Sequence, residues 1–295
     1  MTSRSTQIRL LWQLLDRRHV LYGVTMVMFL PALAAPATAQ GLRDIQKDIQ
    51  LCNRVGDASP DDRIGSCTAI IASDAGTTRS LSVAYNNRGN AFNAKGEYER
   101  AIADYNQSIE ADPKYARAFN NRGVAYQKLG ELKHAMENFD QSIKLDPRSA
   151  PVFVNRAEIY GKMNDHRRAL LDYNEAIRLQ PDLEGAWNGR CWMRAIIGEL
   201  PAALADCNES LRLKPGVAVT LDSRGLTYLK MGQADAAIAD YNSALQSNPQ
   251  LASALYGRGL LKRRRGNAAE GDADIAAAVA ISPNIAGDFA RYGVR

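Results

Sequence analysis

A proline that returns at a strict step of 34 residues, as Pro113, Pro147, Pro181, Pro215, Pro249 and Pro283, constrains this chain more than any other feature. An arginine keeps the same step, as Arg88, Arg122, Arg156, Arg190, Arg224 and Arg258. A fixed period between about 20 and 50 residues marks an array of stacked units, each burying its face on its neighbour. Such an array escapes the usual link between length and domain count, so the 295 residues are read unit by unit.

Within one unit, Tyr85, Gly89 and Phe92 recur at spacings of four and three, which is one face of a helix. Gly96 then takes the left-handed position that ends a helix without a Cβ penalty. Its counterparts are Gly130, Asn164, Gly198, Gly232 and Gly266, asparagine being the next-best residue for that conformation. A second helix follows, with Ala101, Ile102, Tyr105, Ser108 and Ile109 facing inward. It must stop before Asp112-Pro113, because the residue before a proline avoids helical backbone. Each unit is thus a helix–turn–helix.

The step and the pattern of Tyr85, Gly89, Phe92, Ala101, Tyr105 and Pro113 resemble the tetratricopeptide repeat. The resemblance covers residues 82–283, six repeats. The fourth repeat departs from it at Trp187, Cys191 and Arg194, the sixth at Leu255, Lys262 and Gly271. It implies an all-α, right-handed superhelical solenoid with a concave groove lined by the first helix of each unit. Upstream, Arg63–Ile71 matches a second helix, with Cys67 in the place of Tyr105, so residues 40–81 are expected to form an irregular first hairpin with Leu42–Val55 as partner helix. Residues 284–295, with Ile285, Phe289 and Tyr292, are expected to cap the far end.

Residues 1–39 have another character. A basic stretch with Arg4, Arg9, Arg17 and Arg18 precedes the apolar run Leu21–Leu33, and Ala37-Thr38-Ala39 supplies small residues before Gln40. That is the layout of a secretory signal cut after Ala39. Pro31 and Pro36 shorten the usable helix below the roughly 20 residues of a membrane span, the alternative being an uncleaved anchor. This segment carries most of the net charge of +5, leaving the remainder near balance. The apparent basicity is therefore no argument for a nucleic-acid partner.

Four cysteines, Cys52, Cys67, Cys191 and Cys207, follow the signal. An even count behind an export signal favours disulfides over metal. The histidines beyond the signal, His134 and His166, are scattered, and no metal or cofactor site is expected. Cys191 and Cys207 stand where other repeats pair a small residue with a ring, as Gly89 with Tyr105. One repeat changes both positions, and both become cysteine. Close helix approach at that point suits a Cys191–Cys207 bridge, the alternative being two buried thiols. Cys52–Cys67 would staple the first hairpin.

The six arginines depart from the aliphatic residue usual in this family. Asp104, Asn138, Asp172, Asp206, Asp240 and Asp274 lie nearly level with them across the turn. A ladder of ion pairs fixing helix register is the expected arrangement, with a grip on an anionic ligand as the alternative.

Asparagine is a poor helix former, yet Asn86, Asn87, Asn90, Asn120, Asn121, Asn155 and Asn188 recur along first helices. A side-chain amide both donates and accepts, so a column of them can hold an extended peptide by its backbone, as asparagine ladders do in some members of the family. Alternatively they cap or solvate the helix. The lysine clamp for terminal carboxylates is missing, Val154 and Glu158 standing there instead. The second candidate surface is Arg258, Lys262, Arg263, Arg264 and Arg265: either favourable charges at a helix C-terminus or a contact for acidic polymers or headgroups. No catalytic trio or phosphate cradle is present. These residues point to an exported, non-enzymatic adaptor that binds protein or peptide segments and assembles or tethers an envelope complex. The alternative is a polyanion- or membrane-surface-binding module on the sixth repeat. The membrane enters otherwise only through an uncleaved signal, and the sequence sets no oligomeric state.

Overall fold

The computed structural model describes residues 36–53, 58–73 and 77–294, with the backbone alone for 36–44. The expected signal segment falls mostly outside these residues. Fifteen helices and no strands are found among the described residues. They are α1 Pro36–Asn53, α2 Pro60–Ala72, α3 Thr78–Ala94, α4 Tyr98–Ala111, α5 Ala116–Lys128, α6 Leu132–Leu145, α7 Ala150–Lys162 and α8 His166–Leu179. Then follow α9 Glu184–Ile197, α10 Leu200–Leu213, α11 Ala218–Lys230, α12 Ala234–Ser247, α13 Ala252–Arg264, α14 Ala268–Ile281 and the short α15 Ile285–Arg291. The helix α1 begins earlier than the expected Leu42, and Ala39 lies within it.

The chain divides into two compact units, residues 1–147 and 148–295. The first holds the hairpins α1/α2, α3/α4 and α5/α6. The second holds α7/α8, α9/α10, α11/α12 and α13/α14, followed by α15. Within each unit every helix packs on its hairpin partner and on the next hairpin, in solenoid fashion.

The turn that defines a hairpin is closed by the backbone. Gly96 has φ +78°, and Asn164, the one described non-glycine residue with positive φ, has φ +59°. The residue after the left-handed one donates its N–H five positions back, Glu97 to the Phe92 carbonyl at 3.0 Å and Asp165 to the Tyr160 carbonyl at 2.9 Å. These bonds satisfy carbonyls that the helix end would otherwise leave without partners. Second helices end on an extended residue before the proline, as at Asp112 with φ −139°.

Packing inside a hairpin rests on a ring pressed against a glycine. A Cβ added at Gly89 would lie 2.7 Å from the Tyr105 ring, and one at Gly123 only 2.6 Å from Phe139. The rings of Tyr105 and Phe139 are fully buried. In the fourth repeat the same two positions carry Cys191 and Cys207, whose Cα atoms are 5.3 Å apart and whose sulfurs are at bonding distance, 1.93 Å. Cys52 and Cys67 are likewise joined at 2.08 Å, between α1 and α2. In the sixth repeat Ile275 takes the place of the ring against Gly259, and Gly259 and Gly271 add a backbone contact, each leaving under 3 Å for a Cβ beside the other's carbonyl.

The arginines form the ladder. Arg88 donates Nε and Nη2 to the two Asp104 carboxylate oxygens at 2.8 and 2.7 Å. The same fork joins Arg156 to Asp172, Arg190 to Asp206, Arg224 to Asp240 and Arg258 to Asp274. The remaining Nη1 reaches back to the preceding hairpin: Arg122 to Asn106, Arg190 to Asn174, Arg224 to Asn208 and Arg258 to Asn242. Arg122, Arg190, Arg224 and Arg258 therefore each lock their own hairpin and tie it to the one before. Bidentate charged pairs are the strong ones. Stranding one of these buried carboxylates would cost on the order of 3–5 kcal/mol. The guanidinium groups are spent on structure.

Candidate inner-face site

First helices supply the inner face of each unit, and the residues along it change character between the two. In the first unit the face is amide-rich. Asn121 on α5 donates to Asn86 Oδ1 and to Asn90 Oδ1 on α3, both at 2.9 Å. Asn90 Oδ1 also accepts from the Tyr105 hydroxyl at 2.9 Å. Asn87 donates to Asn53 on α1 at 2.9 Å, and Asn120 donates to Asn121 at 3.1 Å. The expected ladder thus exists as a network of amides bonded chiefly to one another across successive first helices. Asn86 is buried, while Asn87, Asn90, Asn120 and Asn121 stay half-exposed. Asn155 and Asn188 lie in the second unit, where the Asn188 side-chain oxygen Oδ1 is buried without a hydrogen-bond partner.

In the second unit the register of Asn90 turns apolar from the fourth repeat on. The positions equivalent to Asn86 and Asn90 become Val154 and Glu158, then Asn188 and Trp192, then Asp222 and Leu226, then Tyr256 and Leu260. The C-terminal segment lies on them. Helix α15 packs on α13 and α14 of the last repeat. Ile285, Phe289 and Val294 are buried in one cluster with Leu226, Leu229, Leu255 and Leu261, and Trp192, Tyr256, Leu260 and Tyr292 pack against it. Phe289 meets the Tyr256 ring edge-on with centroids 4.8 Å apart, and Tyr292 meets Trp192 edge-on at 5.5 Å. The segment therefore crosses three repeats. Between Tyr292, Arg291 and the helices α7–α9 a cavity of about 350 Å³ remains, lined among others by Glu158, Lys162, His166, Tyr173 and Met193.

Two buried groups in this unit are unusual. Asp222 accepts a short hydrogen bond from the Ser253 hydroxyl at 2.5 Å, while its other oxygen has no partner. Burial pushes its carboxyl up to about 7. The neighbouring Tyr241 hydroxyl is also buried without a partner, and burial drives its acidity far down. The Lys230 ammonium donates to the Ala195 and Ile196 carbonyls at the end of α9, at 2.6 and 2.9 Å.

The basic candidates are engaged. Arg258 belongs to the ladder, Lys262 pairs with Glu270 and Asp274, Arg263 with Asp272, and Arg265 with Asp235. Arg264 also has a partner. Among the described residues no cluster of His, Cys, Asp or Glu is arranged to hold a metal. Sequence reading singled out the asparagines but missed Trp192, Leu226, Tyr256 and Leu260. The available signal was the register of Asn90, which passes through Val124 and Glu158 and then fills with Trp192, Leu226 and Leu260.

A chain of stacked two-helix units with a left-handed turn residue, a ring-against-glycine contact and a lined inner face is a helical-repeat protein of the interaction-scaffold kind. Tetratricopeptide repeat profiles match residues 89–130 and 225–265, 116–149, and 150–183. The chain belongs to the tetratricopeptide repeat proteins. Among solved structures it is similar to a tetratricopeptide repeat protein from Parabacteroides merdae (17% identity, 85% of this chain and 98% of the other, TM-score 0.63). It is also similar to PilW, a type IV pilus biogenesis factor (22%, 69% and 94%, 0.60). A third is YrrB, described as having an unusual peptide-binding site (22%, 65% and 97%, 0.50). Identities this low establish shared fold alone. A search of curated protein sequences gives no match.

Proposed function

We propose that the protein is an exported, non-enzymatic adaptor that holds protein or peptide segments on its inner face and so assembles or tethers an envelope complex. The observation that carries this reading is the amide-lined inner face of the first unit. Asn90 accepts two hydrogen bonds through Oδ1, and neither N–H of its Nδ2 is directed at a described residue. A half-exposed amide donor on a helix face is what a peptide carbonyl recognises. YrrB, of the same fold, is described as a peptide binder, and PilW serves pilus biogenesis. Export is supported by the N-terminal sequence and by paired cysteines, which persist in oxidising compartments. Binding of acidic polymers by the sixth repeat is less favoured, since its cations already face carboxylates within the chain.

The test is a photoreactive residue at Val124, which shares the register of Asn90 and leaves the amide network intact. Irradiation in the producing cell is expected to capture a discrete protein, with capture lost on Asn90→Ala. Labelling that is unchanged by that substitution would remove the amide face from the reading.

A further inference from the structure

The C-terminal segment lies along the inner face of the second unit as a ligand would. Ile285, Phe289 and Tyr292 stand at i, i+4 and i+7, which is one stripe of a helix. The stripe meets Tyr256 of the sixth repeat and Trp192 of the fourth. Between them Gly293 passes beside the Lys230 ammonium of the fifth, which stands 4.0 Å from the place of a Cβ there. A segment needed only to cover the last hairpin has no reason to reach Trp192.

Its attachment has a second property. The described residues of 284–294 make hydrogen bonds within the segment and to the adjoining Ser282, as when Val294 N–H meets the Phe289 carbonyl and Arg291 pairs with Asp288. Among the described residues, none joins it to α9–α13. It is held by apolar and aromatic burial alone. A helix of 7 residues has no independent stability, so once off the face it has nothing to keep it folded. Near Tyr292 the buried Asp222 keeps one carboxylate oxygen, Oδ1, without a partner. A ligand supplying a polar group at that point would fit the wall better than this segment does.

We propose that Ile285–Val294 is a displaceable self-ligand, occupying the place of a partner protein's amphipathic helix that presents apolar side chains at the same i, i+4, i+7 spacing. This rests on the adaptor reading and adds a second face to it, one closed until the segment leaves. The recognition mode is helix-in-groove, with aromatic anchors.

The test uses the full-length oxidised chain and a fluorescent peptide of residues 283–295. Wild type, its groove filled in cis, is expected to bind the peptide weakly. The full-length double variant Phe289→Ala, Tyr292→Ala is expected to bind it at least tenfold more tightly, and a peptide carrying the same two alanines not at all. Failure of the peptide to bind either chain, with the double variant as helical as wild type by circular dichroism, would overturn the proposal. Should the double variant unfold, hydrogen exchange on wild type decides the matter. Amides of 286–294 exchanging at least tenfold faster than those of α13 and α14 support a segment that leaves alone. Exchange of the three helices only together refutes it. The Val124 crosslink reports on the first unit, so it separates failure of this inference from failure of the adaptor reading.

Discussion

Five of the six arginines in the ladder face a carboxylate, and the sixth does not. Arg122 donates Nε to the Asn138 amide oxygen at 2.8 Å and Nη1 to that of Asn106. Burial accordingly lowers its affinity for the proton, while Arg88 and Arg224, beside Asp104 and Asp240, hold theirs more firmly. Asn138→Asp restores the missing charge, at the cost of the bond from Asn138 to the His134 carbonyl. It is expected to raise stability by about 1 kcal/mol, seen as a higher urea midpoint. Asp222 poses the opposite problem, a carboxyl without a cation. Its folded pKa of about 7 stands above the usual carboxylate value near 4. The native state therefore keeps a proton that the unfolded chain has released, and stability falls as pH climbs from about 4 through 7. The loss from this one group amounts to about 4 kcal/mol at most. Asp222→Asn installs the residue found at the matching positions Asn86, Asn120 and Asn188. Its advantage over wild type in thermal unfolding should be small at pH 5 and larger at pH 8.

At the scale of the hairpin, one contact admits two chemical solutions. Three of the six repeats close α-helix on α-helix with a ring lodged over a glycine, leaving no room for a Cβ at Gly89, Gly123 or Gly225. The fourth repeat uses Cys191 and Cys207 at the same positions. The two solutions should be exchangeable in part. Cys191→Gly with Cys207→Tyr gives up a cross-link worth about 3 kcal/mol and regains about 1.5–3 kcal/mol of ring burial. Cys191→Ser with Cys207→Ser gives up the cross-link and regains nothing. The glycine–tyrosine variant is expected to melt at the higher temperature of the two by differential scanning calorimetry. The turns and hairpins were fully legible beforehand, because each rests on residues close in sequence: a left-handed glycine or asparagine, a proline stop and an i, i+4 face. The pairing of Arg88 with Asp104 was legible too, since both count back to the same turn.

For the molecule as a whole, the reading of an exported protein makes two linked demands. The mature chain should begin at Gln40, and after denaturation without reductant it should titrate no free thiol among Cys52, Cys67, Cys191 and Cys207. Edman sequencing and a thiol assay on the secreted material check both; an intact Met1 or four reactive thiols would leave an uncleaved anchor or a reducing compartment in its place. What the amino-acid order determined by itself was the repeat: its length, its two helices, its turn, the rungs of its ladder and the family to which it belongs. Those follow from contacts inside one unit or between consecutive ones. It also marked the asparagines, but not that they bond mainly to each other, since whether an amide meets a ligand or a neighbour depends on how closely two first helices approach. It offered the stripe of Ile285, Phe289 and Tyr292 as a cap on the far end, but not the reach of that stripe to the fourth repeat. Only the folded second unit, which brings Trp192, Leu226 and Tyr256 from three separate repeats onto one wall, decides where that stripe is buried.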